Sequence, residues 1–179
     1  MRSFSINLKG RVKNFHLPKN QPLIPLFEAI VNSIHAIDER KKNGEQFKGN
    51  IIIRIIRDDQ IPLEGIGELP PIHSFEIIDN GIGFNESNFN FFMESDSTYK
   101  SDIGGKGVGR FSWLIAFEKA EIQSIYHNKT GYLKRTFEFS TEQSEINDNP
   151  TECESQQDNC TIVRLVNCLD PYAKVLPKK

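Results

Sequence analysis

Three groups of residues in this 179-residue chain have types and spacings that could do chemistry. Glu28, Asn32, His35 and Glu39 recur at steps of four, three and four, which places them on one face of a helix. A carboxylate and a carboxamide then stand one turn apart. The carboxylate can take a proton from an attacking water, and the amide oxygen is a hard ligand suited to magnesium. Further on, Ile77-Ile78-Asp79-Asn80-Gly81-Ile82-Gly83-Phe84 is an apolar strand that stops at an aspartate followed by two spaced glycines. Such an aspartate can accept a hydrogen bond from the exocyclic amine of a purine, and glycines let backbone approach a flat ring. The third group, Gly104-Gly105-Lys106-Gly107-Val108-Gly109-Arg110, runs straight into an apolar stretch. Amides of a glycine-rich turn at a helix start attract anions, and Lys106 and Arg110 add positive charge. It is neither a Walker loop, which needs Gly-Lys-Ser/Thr, nor a dinucleotide fingerprint inside a strand-helix-strand unit. Taken singly, the three groups also fit a solvated helix face, an Asp-Asn-Gly turn and a hinge.

The elements that must position these groups follow from periodicity. Residues 21–42 read as the clearest helix, with Pro22 and Pro25 in its opening turn and an apolar stripe of Leu23, Phe27, Ile30, Ile34 and Ile37, roughly opposite the Glu28 face. Asn43-Gly44 ends it, and residues 50–57 are a β-branched run with the length of a buried strand. A second strand spans 72–78. The polar, phenylalanine-rich stretch between the glycine motifs reads as a mobile loop, and 110–117 as a short buried helix. Strands follow at 120–126, 132–139 and 161–166, with a long polar connection over 140–159. Residues 1–20 suit an edge strand or a partner-seeking arm, and 171–179 read as a tail leading to a further domain. Early alternation of helix and strand with late clustering of strands predicts an α+β fold: a two-layer sandwich, its sheet mixed but mostly antiparallel, with helices on one face.

Composition narrows the function classes. The formal charge of −2 is spread over mixed acids and bases, so no basic field advertises nucleic acid or an anionic membrane. No apolar run reaches the roughly 18 residues of a membrane span, and the first residues lack the apolar stretch of a secretory signal, which predicts a cytoplasmic protein. Cys153, Cys160 and Cys168 lack the paired spacing and nearby histidines of a zinc site and read as reduced structural thiols.

The order of the motifs carries more than any one of them. A helix with Glu and Asn four apart, a strand into Asp-x-Gly-x-Gly, a loop, and a glycine-rich turn opening a helix together resemble the GHKL ATPases, the superfamily of gyrase B, MutL, heat-shock-90 chaperones and histidine kinases. EAIVNSIHAID is similar to the family's N box, DNGIGF to its first glycine box, and GGKGVGRFSW to the second, after the lid. NCTIVRL resembles the closing strand, with Thr161 in the threonine's place. The lid ending resembles that of prokaryotic heat-shock-90-like members more than gyrase or MutL. The resemblance spans about 23–166 and implies a Bergerat ATP-binding fold over 21–170, with a mobile lid over about 85–108.

It also implies roles. Glu28 would be the general base and Asn32 the magnesium ligand. Asp79 would bind the adenine amine with Thr161 in support, Gly81 and Gly83 would shape the pocket, and Phe84 would pack beside the base or serve as a plain core phenylalanine. Gly105, Lys106, Gly107, Val108 and Gly109 would hold the phosphates, with Lys100 and Lys106 as lid cations. ATP and magnesium are the implied cofactors; the resemblance implies that hydrolysis would be slow and that lid closure would promote homodimerisation, with no direct nucleic-acid or membrane contact expected. Two departures stand out: His35 where gyrase, MutL and chaperone branches usually carry aspartate, and Cys160 in place of glycine. A nucleotide-gated binding module without turnover and a histidine-kinase-type catalytic domain are the alternatives; the roughly 20 residues before the N box offer no acceptor helix for the latter.

Overall fold

The computed structural model describes residues 8–58, 69–93, 109–142, 146, 149–153 and 158–177. Within them the chain forms helices α1 (Leu8–Asn14), α2 (Ile24–Lys42), α3 (Glu86–Met93) and α4 (Trp113–Ala116). Six strands accompany them: β1 (Ile51–Arg57), β2 (Ile72–Asp79), β3 (Phe117–His127), β4 (Tyr132–Ser140), β5 (Thr151–Glu152) and β6 (Cys160–Cys168). They lie in the spatial order β1-β2-β6-β3-β4-β5 with every pairing antiparallel. The α+β class is as expected; the sheet is purely antiparallel rather than mixed. No described helix is long and apolar enough to cross a membrane.

Register explains the core. Ile77, Val163, Ile122 and Phe137 stand directly opposite one another across β2, β6, β3 and β4, and so do Phe75, Leu165, Ala120 and Phe139. Both rows are buried and share one apolar cluster with Leu26 and Ala29 of α2, Phe89 of α3, and Trp113 and Leu114 of α4. Each large apolar side chain among them contributes about 1.5–3 kcal/mol on leaving water. One step along the same face the row turns polar: Asp79, Thr161, Ser124 and Arg135 face one another across the same four strands, all buried. The opposite face carries ions instead. Arg54 and Arg164 both bond Glu76, Arg164 also approaches Glu121, and Lys119 joins Glu121 to Glu138.

Several expectations are corrected. Helix α2 is rotated from the stripe read in sequence: it buries Pro25, Leu26, Ala29, Ser33, Ile37 and Arg40, while Phe27 and Ile34 are 55% and 45% exposed. Small residues let the helix approach the sheet closely, and that outweighs the larger apolar area of the alternative stripe. Strand β1 is no buried strand but an edge, with Ile52, Ile53 and Ile55 largely exposed because a single neighbour pairs with it. Residues 8–14 are helical rather than extended. The supposed arm and tail meet: Leu17, Tyr172 and Leu176 belong to the core, and the Tyr172 hydroxyl donates to the Leu17 carbonyl at 2.9 Å. The first part of the expected mobile loop is α3, held down by Phe89, and the long 140–159 connection contains β5.

Candidate functional site

The polar row marks one end of the sheet, and the loop after β2 closes that end. Asp79 ends β2 with both carboxylate oxygens engaged: Oδ1 accepts the Gly81 amide at 2.9 Å and Oδ2 the Ser33 hydroxyl at 2.8 Å. Burial raises its carboxyl above the ordinary carboxylate range, and those two hydrogen bonds pull it part of the way back. No cation among the described residues contributes to its titration. Thr161 lies directly opposite Asp79 in register, and its hydroxyl is 2.9 Å from that of Ser124, which accepts the Phe84 amide. Asp79 and Thr161 are thus register partners at one end of the β2–β6 pair.

The rest of the loop is pinned link by link. The Asn80 side chain accepts the Asn50 amide and donates to the Lys48 carbonyl, while the Asn80 carbonyl accepts from Arg40. The Gly81 carbonyl accepts from buried Asn159, whose Oδ1 takes the His127 amide. The Ile82 amide donates to the Ala36 carbonyl of α2 at 3.0 Å. Asn88 of α3 bridges the Gly83 carbonyl to Glu39, and Arg135 donates to the carbonyls of Phe84 and Asn85. The two glycines are demanded by this packing: a Cβ on Gly81 would lie 2.6 Å from that of Ala36, and Gly83 has φ +77° with Ser124 and Tyr126 against it. The Phe84 ring packs edge-on against Phe92 and Phe137, so it is committed to the aromatic core rather than to a pocket wall.

Helix α2 supplies the second wall. Ser33 reaches inward to Asp79, Glu28 is half-buried, Asn32 one turn on is exposed, and His35 and Glu39 are half-buried. Burial raises the Glu28 carboxyl too. Its end lies against Gly109, the first residue of a 3-10 turn over Gly109–Ser112 that leads into α4. The guanidinium of Arg110 lies over the rings of Phe92 and Phe111, a use that its basic charge alone did not predict. Lys100, Gly105, Lys106, Gly107 and Val108 lie outside the described residues. Of the thiols, burial pushes Cys160 up and Cys168 to about 11, as befits unreactive structural cysteines.

For magnesium, the side chains present fit a minimal protein contribution. Among the described residues no three His, Cys, Asp or Glu side chains gather into a cage. Exposed Asn32, one turn from Glu28, offers one amide oxygen, which suits an ion held mainly by substrate phosphates and water.

Sequence reasoning missed Ser33, Asn88, Ser124, Arg135 and Asn159, the side chains that fix the loop. Asn80, inside the Asp-Asn-Gly motif, and Asn159, beside Cys160-Thr161, carried the available signal. The chain matches no protein-family model and no curated protein.

Proposed function

We propose that the chain is the ATP-binding domain of a GHKL-type ATPase, with a Bergerat fold and a lid beginning beyond the pinned loop. The observation that carries this reading is the buried Asp79 carboxylate, held by two neutral donors at the mouth of a rigid glycine loop. Burying a carboxylate without a cation costs stability, a cost characteristic of a group kept for a ligand's donor. The exocyclic amine of adenine is such a donor, and Thr161 is placed opposite Asp79 to hold a second edge or a water beside it. The pinning of 79–85 supports the reading further, because a preorganised loop loses little freedom on binding.

Glu28 is the base of this mechanism. A carboxyl raised by burial stands nearer the working pH, where it accepts a proton from water more effectively. Asn32 holds magnesium, which when bound offsets charge on the phosphates. The second glycine box, with Lys100 and Lys106, supplies amides and cations for the same charge. Hydrolysis is slow, and lid closure promotes association of two such domains.

Calorimetric titration with ATP and magnesium tests the proposal on the wild type, Asp79→Asn and Glu28→Ala. Asp79→Asn is expected to lose affinity by about 100-fold, since an amide cannot accept the adenine amine without turning a donor toward it. Glu28→Ala is expected to bind within a few-fold of wild type and to release phosphate only at a small residual rate. If it hydrolyses ATP like the wild type, Glu28 is not the base. A well-folded wild type that binds no nucleotide overturns the proposal and leaves an interaction module.

A further inference from the structure

We propose that Gly109, the last glycine of the second box, is a positioning residue for Glu28: its bare Cα is the seat against which the Glu28 carboxylate rests. A Cβ built on Gly109 would lie 2.0 Å from Oε2, 2.5 Å from Cδ and 3.2 Å from Oε1 of Glu28, so the whole carboxylate end lies across that position. Neither backbone can retreat. Gly109 opens a turn whose next three residues, Arg110, Phe111 and Ser112, are all buried, and its carbonyl accepts the Ser112 hydroxyl at 2.6 Å. On α2, Leu26 and Ala29 flank Glu28 and are buried against the sheet. The one part free to yield is the carboxylate itself, the far end of a flexible side chain, and the buried turn leaves it only the solvent side.

A methyl group at 109 therefore costs the fold little and the base much. The backbone of Gly109 is not in the left-handed region, so alanine strains nothing there. The displaced carboxylate, however, leaves the position from which it can orient a water, and a misplacement of about 1 Å in such a group costs on the order of 100-fold in rate. The role of base comes from the proposed ATPase reading. The seating is a property of the free protein, and burial, which raises the Glu28 carboxyl, is what the displacement would undo.

The test combines two readouts on the full chain. In nucleotide-free protein, carboxyl carbon NMR of Glu28 is followed through a pH titration in the wild type and Gly109→Ala. The variant's Glu28 is expected to titrate lower, back toward the ordinary carboxylate range, with the melting temperature unchanged within about 2 °C. Phosphate release is measured in the wild type, Gly109→Ala, Glu28→Ala and the double variant. Gly109→Ala is expected to lower kcat by about 10- to 100-fold with KM for ATP held within about twofold, and to change nothing further once Glu28 is alanine. An unchanged Glu28 titration overturns the seating. A raised KM, or an equal loss in the Glu28→Ala background, overturns it in favour of a phosphate-binding role for Gly109. If the wild type hydrolyses no ATP, the ATPase reading fails, while the NMR titration still decides the seating.

Discussion

Strand β2 carries two carboxylates three residues apart, Glu76 and Asp79, each only 5% exposed, and they are treated in opposite ways. Glu76 points to the outer face, where Arg164 and Arg54 bond its two oxygens; the arginines hold its carboxyl below the ordinary range. Asp79 points to the inner face, meets a hydroxyl and an amide, and is raised by burial. Equal burial with opposite titration separates a structural carboxylate from one with unused accepting capacity. Glu76 is paired as a buried charge must be, whereas Asp79 is left partly unpaired at the mouth of a rigid loop.

The contrast is greatest in ligand binding. The loss of about 100-fold in ATP affinity expected for Asp79→Asn has no counterpart at Glu76, where Glu76→Gln is expected to leave affinity within about twofold, because its face lies across the sheet from the polar row. Stability reverses the ranking. Glu76→Gln is expected to cost about 1–2 kcal/mol at pH 7, since the amide loses the charge and turns its NH2 donor toward one of the two guanidinium groups. A depressed carboxyl stabilises the fold above its unfolded value and loses that contribution as pH falls through the folded one, so the cost should begin to shrink near the ordinary glutamate value of about 4 and vanish only in stronger acid, below the depressed folded value. Urea melts from pH 8 down into strong acid would show it; a cost that does not shrink in acid would mean that packing, not charge, was lost.

Asp79→Asn should move the other way. A raised carboxyl stabilises most below its unfolded value, and the contribution is lost as pH rises through the folded one. The neutral amide escapes that loss, so the variant is expected to be about 1 kcal/mol more stable than wild type at pH 8, with the gap closing toward about pH 4. Ser33 can then turn its hydroxyl to a backbone carbonyl of its own helix. Destabilisation at pH 8 would mean that the hydrogen bonds to Asp79 outweigh its burial, and the comparison with Glu76 would collapse.

What was legible in the sequence follows the same line between local and distant causes. Helix α2 and strands β2, β3, β4 and β6 announce themselves through periodicity, and Asp79, Thr161 and Glu28 through motif order. The rotation of α2 was not legible, because two overlapping stripes satisfy helical spacing and only the closeness of Ala29 and Ser33 to the sheet chooses between them. Helix α3 was hidden in a polar, glycine-flanked stretch whose phenylalanines make sense only against Phe137 and Trp113. Ser33 and Asn159 fix the site across 46 and 78 residues of chain, separations at which no local pattern points to a partner. Residues 100 and 105–108, the expected phosphate and lid positions, lie outside the described residues.

Ser33 gives the finest division between the two carboxylates. Ser33→Ala removes one of the two donors that lower the Asp79 carboxyl and leaves the chain otherwise intact. Because that hydroxyl bonds a buried carboxylate, the melting temperature is expected to fall by several degrees while Asp79 is ionised, and by less toward acid. The Asp79 carboxyl should rise further, because burial is then opposed by the Gly81 amide alone. At pH 8 ATP affinity is expected to fall about three- to fivefold through loss of orientation. At pH 6 the fall should be larger than at pH 8, because a carboxyl raised further is protonated more readily as pH drops and loses its accepting capacity. Calorimetry at the two pH values reads both effects. An affinity that drops equally at each would assign Ser33 to shape alone and leave its hydrogen bond to Asp79 without a part in recognition.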